Sequence, residues 1–271
     1  MYNEGMAKRA AENLRLVRAR KPLVHNITNY VVMNYTANAL LACGAAPVMA
    51  HASEEVEEMV SLAGALVLNI GTLSTPWIDS MVKAGKRANA LHVPVILDPV
   101  GAGATTLRTE TARRLIEAVS VQVIRGNASE ILALSPGQSG SRTKGVDSVH
   151  TVDEVEQMAV ALARELRVVL AVTGVVDLVT DGRNSYRGMN GHEMMSRVTG
   201  TGCTATAIIG AFLAVDADAL KAAATGLSYF GLAGEKAATG RPGPGTFQIA
   251  LLDALYAMKE EELRSGARIQ G

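Results

Sequence analysis

The 271-residue sequence predicts an α/β fold: a central, mostly parallel β-sheet with helices on both faces, in three layers. Three observations predict it. Short apolar runs of strand length alternate with stretches of helical periodicity along most of the chain. Polar residues and glycines gather where those runs end, at Asn29, Gly71, Asp98, Arg125 and Gly174. Hydrophobic residues make up 48% of the chain and aromatics only 4%, so the core must be Ala, Val, Leu, Ile and Met, which suits buried parallel strands under small-residue helices.

Residues 6–18 read as a helix with Ala7, Ala10, Leu14 and Val17 on one side. Pro22–Asn29 is a short strand with a polar end, followed by a helix over 30–42 that Gly44 terminates. Residues 46–49 are extended, and Ser53 is placed to cap a helix carrying Glu54 and Glu55 in its first turn. The alternation then becomes regular. A strand over 65–70 precedes a helix from Thr75-Pro76 to about residue 92, with proline in its first turn. A strand over 94–97 runs into Asp98-Pro99-Val100-Gly101-Ala102-Gly103, and a helix covers 106–119. A strand over 121–124 meets a helix starting at Asn127. Residues 136–147 are expected to form a mobile glycine-containing loop, and Thr151 with Glu154 reads as a capping box for a helix to about 166. A strand over 168–172, a hairpin over 176–189 around Asp181-Gly182, the glycine-rich turn with the apolar helical run 205–215, and helices over 217–238 and 245–263 complete the chain.

Such a succession implies crossover connections and a ligand site beyond the carboxyl ends of the strands. The chain shows neither repeat nor linker, so residues 1–271 read as a single domain. Lys plus Arg equals Asp plus Glu at 26 each, which argues against a nucleic-acid or membrane-surface partner. Two cysteines, Cys43 and Cys203, give no disulfide framework, and no apolar run reaches spanning length; a soluble cytoplasmic protein is expected.

The stretch Val198-Thr199-Gly200-Thr201-Gly202-Cys203 leads into an apolar run that forms a buried helix. A glycine-rich turn at such a helix aims free N–H groups and the positive end of the helix dipole at one point, a ready phosphate site. The alternative is a threonine cap on a core helix. Cys203 stands at its mouth, where a helix N-terminus lowers a thiol pKa; it fits a weak base, a nucleophile or a space-filling residue. Asp98 at a strand end is a carboxylate suited to Mg²⁺, or else the head of an Asx turn. Asn127 and Glu130 have capping-box spacing, yet a first-turn Glu faces the same opening. Arg125, just ahead of that helix, offers a fork of donors to phosphate or else makes an ordinary surface salt bridge, and Thr173-Gly174 ends a strand where it can hydrogen-bond phosphate or simply turn. Met49 is core filler or a soft wall for a flat heterocycle. Cys43 reads as a packed thiol, and the histidines show no metal spacing.

Taken together, the strand-end Asp in DPVGAG, the Asn-x-x-Glu helix start and the Gly-x-Gly opening a late helix resemble the ribokinase-like kinases. More narrowly, VHNITNYVVMN (24–34), GAAPVMA (44–50), LDPVGAGAT (97–105), IRGNASEI (124–131), TKGVDS (143–148), VTGTGC (198–203) and GPGTF (243–247) resemble the hydroxyethylthiazole kinases, from about residue 20 to 260. The resemblance implies a ribokinase-like fold and phosphorylation of 4-methyl-5-(2-hydroxyethyl)thiazole by ATP with Mg²⁺, a thiamine-salvage step. It also implies a homotrimer with thiazole sites between subunits. It puts Met49 and Gly200 at the thiazole with Asn29 and Gly71 as neighbours, Arg125 and Thr173 at the nucleotide, with Gly174 and Thr199 beside them, and Asp98 and Glu130 on the Mg²⁺ side. Cys203 falls where most ribokinase-like enzymes carry an Asp base, with Gly200 and Gly202 forming the anion hole. Related pyrimidine or pyridoxal kinases share GTGC and are the nearest alternative; a cysteine-nucleophile hydrolase and a non-catalytic nucleotide sensor are more distant ones.

Overall fold

The structure, a computed structural model, describes residues 2–135, 152–240 and 243–271. Six strands run parallel: β1 (Leu23–Ile27), β2 (Ala46–Val48), β3 (Ala65–Asn69), β4 (Val95–Asp98), β5 (Val123–Asn127) and β6 (Val169–Thr173). Antiparallel β7 (Asp177–Thr180), β8 (Ser185–Gly188) and β9 (Ile269–Gln270) extend the same sheet. Among the described residues the order is β2-β1-β3-β4-β5-β6-β7-β8-β9, a nine-stranded sheet.

Each inner strand is buried on both sides and splits its side chains between two cores. Along β3, Ala65 and Val67 face one layer while Leu66 and Leu68 face the other, as the two-residue period of a strand requires. The first layer holds α1 (Glu4–Arg20), α2 (Met33–Cys43), α8 (Thr201–Leu213), α9 (Ala219–Ala237), α10 (Pro244–Ala257) and α11 (Glu260–Gly266). The second holds α3 (Val56–Ser61), α4 (Thr75–Ala90), α5 (Thr106–Ala118), α6 (Ala128–Leu132) and α7 (Val152–Leu166). This is the three-layer α/β arrangement that the sequence predicts.

Helix α8 lies inside the first layer. Every residue from Thr204 to Leu213 is buried, and Gly210 packs against Val24, Val67 and Ile96 of three strands. Ile208, Ile209 and Phe212 are fully buried, each contributing about 1.5–3 kcal/mol by leaving water.

Several boundaries differ from the sequence expectation. Helix α2 starts at Met33 rather than Tyr30, because residues 30–32 turn back with the Val32 N–H on the Asn29 carbonyl. Ser53 does not cap α3; the helix begins at Val56, set by burial of Val56 and Val60 one turn apart. Ser74, not Thr75, is the extended residue before α4. The strand expected over 121–124 runs instead from Val123 to Asn127, so Arg125 sits within β5 and Asn127 caps α6. The helix expected over 245–263 breaks at Met258, which is extended and fully buried. A second helix starts after Lys259, whose N–H bonds the Glu262 carboxylate (2.9 Å). A 3₁₀ turn at Glu193–Arg197 carries no periodic signature. The loop over 136–147 and the Thr151 cap lie outside the described residues.

Candidate active site

A row of polar side chains crosses the carboxyl ends of five adjacent strands. Asn29, just past β1, donates from Nδ2 to Asn69 Oδ1 at the end of β3 (2.8 Å). Asn69 Nδ2 donates to Asp98 Oδ2 at the end of β4 (2.9 Å). The Arg125 guanidinium from β5 stands 3.8 Å from the same carboxylate oxygen and donates from its other terminal nitrogen to the Thr173 hydroxyl on β6. Parallel pairing sets this row: Asn69 is in register with Asp98, and Asn127 with Thr173.

Asp98 is 0% exposed, and Thr206 of α8 donates a further hydrogen bond to its Oδ2 (2.7 Å). Burial pushes its pKa up to about 6, against the opposing pull of Arg125 and of the Thr206 and Asn69 donors. Its Oδ1 and the Arg125 Nε are buried without a hydrogen-bond partner. An orphaned carboxylate oxygen is a hard ligand of the kind Mg²⁺ takes.

The head of α8 closes over this row. Gly200 precedes the helix at φ +87°, and a Cβ there would lie 2.7 Å from Val32 Cγ1, so only glycine fits without strain. No side chain caps the helix, and its first internal bond is Thr204 N–H to the Gly200 carbonyl. The amides of Thr201, Gly202 and Cys203 therefore have no carbonyl within the helix. A Cβ on Gly202 would come within 2.6 Å of the Arg125 guanidinium, which packs directly on that turn. Amides, helix dipole and guanidinium thus converge, which is the chemistry of an anion site. The Thr201 hydroxyl turns away and donates to the Met195 carbonyl (2.8 Å).

Cys203 faces the other side of this helix head, where Asn29 Nδ2 lies 3.5 Å from its Sγ. The thiolate character expected of a helix N-terminus is overturned. Burial first, and the Asp98 charge second, push the thiol up to about 11, outweighing the Asn69 and Asn29 donors and Arg125. At neutral pH it is a neutral thiol.

Glu130 fulfils the capping-box reading. Its Oε2 accepts from the Asn127 N–H (2.9 Å), while Asn127 Oδ1 accepts from the Glu130 N–H (2.9 Å). Its Oε1 also accepts from the Gly101 N–H (2.8 Å), tying the turn after Asp98 to α6. Each carboxylate oxygen keeps a second lone pair, so a role towards a cation is compatible with the cap. Arg108 of α5, which sequence reasoning missed, holds the Val100, Ile70 and Gly71 carbonyls and so fixes two strand-end turns together. Among the described residues no group of three or more His, Cys, Asp or Glu comes together, so a cation here would complete its shell with water and phosphate oxygens.

Beside Arg125 and Gly202 opens a cleft of about 670 Å³. Thr173 and Gly174 line it, and α9 supplies an apolar wall through Leu227 and Phe230. Its remaining wall is the segment from Asn190 to Ser196. Asp177 also lines it; burial pushes this carboxyl up to about 6, opposed by the Gly174 N–H and by Arg125. Thr199 is exposed and is not among the residues that line this cleft.

On the Cys203 side, the Gly71 N–H donates to Asn69 Oδ1 (3.0 Å), which places Gly71 beside Asn29. Met49 follows β2, the edge strand next to β1, and is half-buried. An aromatic group at this end was not foreseen: Trp77 lies 4.7 Å from Tyr30 and 4.5 Å from His51, centroid to centroid. Of the residues the sequence singled out, the structure brings Asn29, Gly71, Asp98, Arg125, Thr173, Gly200, Gly202 and Cys203 together. Asn69 and Thr206 were missed, although each is a polar residue inside an apolar run, which is a usable signal.

The profile of the hydroxyethylthiazole kinase family matches residues 14–261. A hydroxyethylthiazole kinase of Desulfotalea psychrophila is 61% identical over 261 residues, spanning 96% of this chain and 95% of the relative. One of Desulfosudis oleivorans is 53% identical over 270 residues, spanning 100% and 98%. The solved structure of a hydroxyethylthiazole kinase protein from Pyrococcus horikoshii OT3 superposes with a TM-score of 0.88 at 49% identity, covering 96% of this chain and 98% of that one. A pyridoxal kinase from Staphylococcus aureus in complex with AMP-PCP, 16% identical with a TM-score of 0.57 over 77% of this chain and 86% of its own, shares the fold alone.

Proposed function

The chain belongs to the hydroxyethylthiazole kinase family, and from that premise we propose that it transfers the γ-phosphoryl group of ATP to the primary hydroxyl of 4-methyl-5-(2-hydroxyethyl)thiazole, a step of thiamine salvage. The observation that carries this reading is the polar row from Asn29 to Thr173 beneath the uncapped head of α8. It supports a nucleotide on the Arg125 side and an acceptor alcohol on the Cys203 side, with one anion hole between them.

In the proposed reaction the alcohol oxygen forms a bond to phosphorus as the bond to the ADP oxygen breaks. The three equatorial oxygens share charge in a loose transition state, so positioning and charge stabilisation supply most of the rate. The Thr201–Cys203 amides and Arg125 would meet that charge with donors already in place, with Gly200 and Gly202 allowing the close approach. Thr173 and Gly174 would bind the nucleotide phosphates, with Thr199 outside that contact. Asp98 and Glu130 would hold Mg²⁺, which neutralises phosphate charge when bound. Cys203, a neutral thiol, would shape the alcohol's position next to Asn29 rather than withdraw its proton. That proton would leave on an oxygen of the transferred group. The same property disfavours the cysteine-nucleophile hydrolase.

We further propose that residues 1–271 form one kinase domain, that it is cytoplasmic, where both free cysteines stay reduced, and that it assembles as a homotrimer with Met49 contributing to thiazole sites between subunits. The exposed apolar side chains Tyr30 and Val31 at the acceptor end support burial in such an assembly. No helix among the described residues is long and apolar enough to cross a membrane.

The test is ADP release from ATP with the thiazole alcohol, hydroxymethylpyrimidine and pyridoxal as acceptors. Preference for the thiazole alcohol by at least about tenfold in kcat/KM supports the reading, a difference of about 1.4 kcal/mol in transition-state binding. Preference for either other acceptor overturns it.

A further inference from the structure

Apart from the turn at Gly174-Val175, one wall of the nucleotide cleft is neither strand nor α-helix. Arg125 and Thr173 lie on strands, and Gly202, Leu227 and Phe230 on helices, whereas Asn190-Gly191-His192 precede the 3₁₀ turn and have no ladder of their own. What holds them is a compact polar knot behind the wall. Asn190 Nδ2 donates to Glu235 Oε1 (3.1 Å) and to the Gly266 carbonyl (3.0 Å). Its Oδ1 accepts from Ser228 Oγ and from the Arg268 N–H, both at 2.8 Å. The Gly191 N–H donates to the same Glu235 oxygen (2.8 Å). Arg268 grips the Glu235 carboxylate with two terminal nitrogens (3.0 and 2.7 Å) and the Met189 carbonyl with one of them (2.8 Å).

Neither Glu235 nor Arg268 lines the cleft. From this geometry we infer that Glu235 and Arg268 are positioning residues for the nucleotide, fixing the Asn190–Gly191 wall so that the cleft keeps the width a nucleotide needs. The inference rests on the kinase reading given above. Two features set the knot apart from an ordinary surface ion pair. The Asn190 side chain is buried with all of its donors and acceptors committed, and a Cβ on Gly231 of α9 would lie 2.5 Å from the Asn190 carbonyl oxygen, so wall and helix are in direct backbone contact. Charge-assisted and bidentate bonds are also the stronger kind, and hold a loop in one place rather than several. The acceptor side of the site, at Asn29 and Cys203, belongs to strand β1 and the head of α8 and shares none of these bonds.

The experiment compares Glu235→Ala, Glu235→Gln and Arg268→Lys in steady-state kinetics, with thermal melting as the check on folding. Glu235→Ala should raise the KM for ATP about tenfold, the scale of one lost charge-assisted hydrogen bond, while the KM for the alcohol and kcat stay within about twofold. Glu235→Gln, which keeps an acceptor for Asn190 and Gly191, should restore most of the ATP affinity. Arg268→Lys keeps the charge but loses the fork, and should fall between them. A merely structural knot would lower the melting temperature without separating the two KM values. If the wild-type chain phosphorylates the alcohol and the folded variants keep the wild-type KM for ATP, or change both KM values alike, the inference is overturned. If Glu235→Ala does not fold, Glu235→Gln and Arg268→Lys decide it by the same split. A wild-type chain inactive with ATP and every acceptor instead overturns the kinase reading, which the comparison of variants keeps separate.

Discussion

Asp98 and Arg125 stand 3.8 Å apart at the ends of neighbouring strands, with the carboxylate fully buried and one oxygen of it unpartnered. The attraction does not offset the loss of water: Asp98 still titrates near 6. The site therefore holds a charge that the fold alone does not stabilise, a usual property of groups waiting for a ligand.

That imbalance has a sign in stability. The folded pKa of Asp98 lies above its unfolded value of 3.8, so the native state binds the proton more tightly. Its contribution is most favourable below pH 4 and is lost as pH rises through 6. Asp98→Asn should therefore stabilise the protein at pH 7.5 by about 2–3 kcal/mol, with the gain vanishing towards pH 4. Turnover should fall by about a hundredfold or more in the same variant. Melting curves across pH together with kcat check both halves.

Gly202 and Arg125 should behave as one unit. A methyl group on Gly202 reaches the guanidinium, so Gly202→Ala should displace it and lower kcat by about 10²–10³, as loss of one preorganised donor does. Arg125→Ala should do the same, and the double variant should be little worse than either single one. Additive losses in that cycle would mean that the two act independently.

The Cys203 thiol should be unreactive. Raised from 9 to about 11, its thiolate population at neutral pH is about a hundredfold below that of an unperturbed thiol, and alkylation by iodoacetamide should slow accordingly. Cys203→Ser should keep measurable kinase activity, because the hydroxyl preserves an acceptor for Asn29. Cys203→Asp should keep or raise it by supplying a base. Complete loss in both folded variants would point to a covalent thiol mechanism.

Glu130→Gln separates the cap from the cation role. Glutamine still completes the capping box, so stability should change by less than about 1 kcal/mol. The Mg²⁺ concentration for half-maximal activity should rise. An unchanged titration would leave Glu130 as a helix cap and a tie to Gly101.

Much of this site is legible in the chain because its residues sit at strand ends. Asp98, Arg125 and Thr173 are polar residues closing or interrupting apolar runs, and parallel pairing carries such positions to one edge. Gly200 and Gly202 are legible because a turn into an apolar helix demands them. Asn69 and Thr206 escape because each reads locally as part of a buried segment, and their common partner, Asp98, is 29 residues from one and 108 from the other. The wall at Asn190–Ser196 escapes for a similar reason: it has no period, and its anchors Glu235 and Arg268 come from distant parts of the sequence.

The alternation of apolar runs with helical stretches determined the fold class, and the strand-end polar residues with the glycine-rich turn determined where chemistry gathers. Both are local properties, written in the two-residue and 3.6-residue periods of the backbone. The ionisation of Cys203 and Asp98 was decided only by the tertiary structure. A helix N-terminus favours a thiolate, but burying the group beside a carboxylate favours the neutral thiol by more, and burial exists only once the layers have closed.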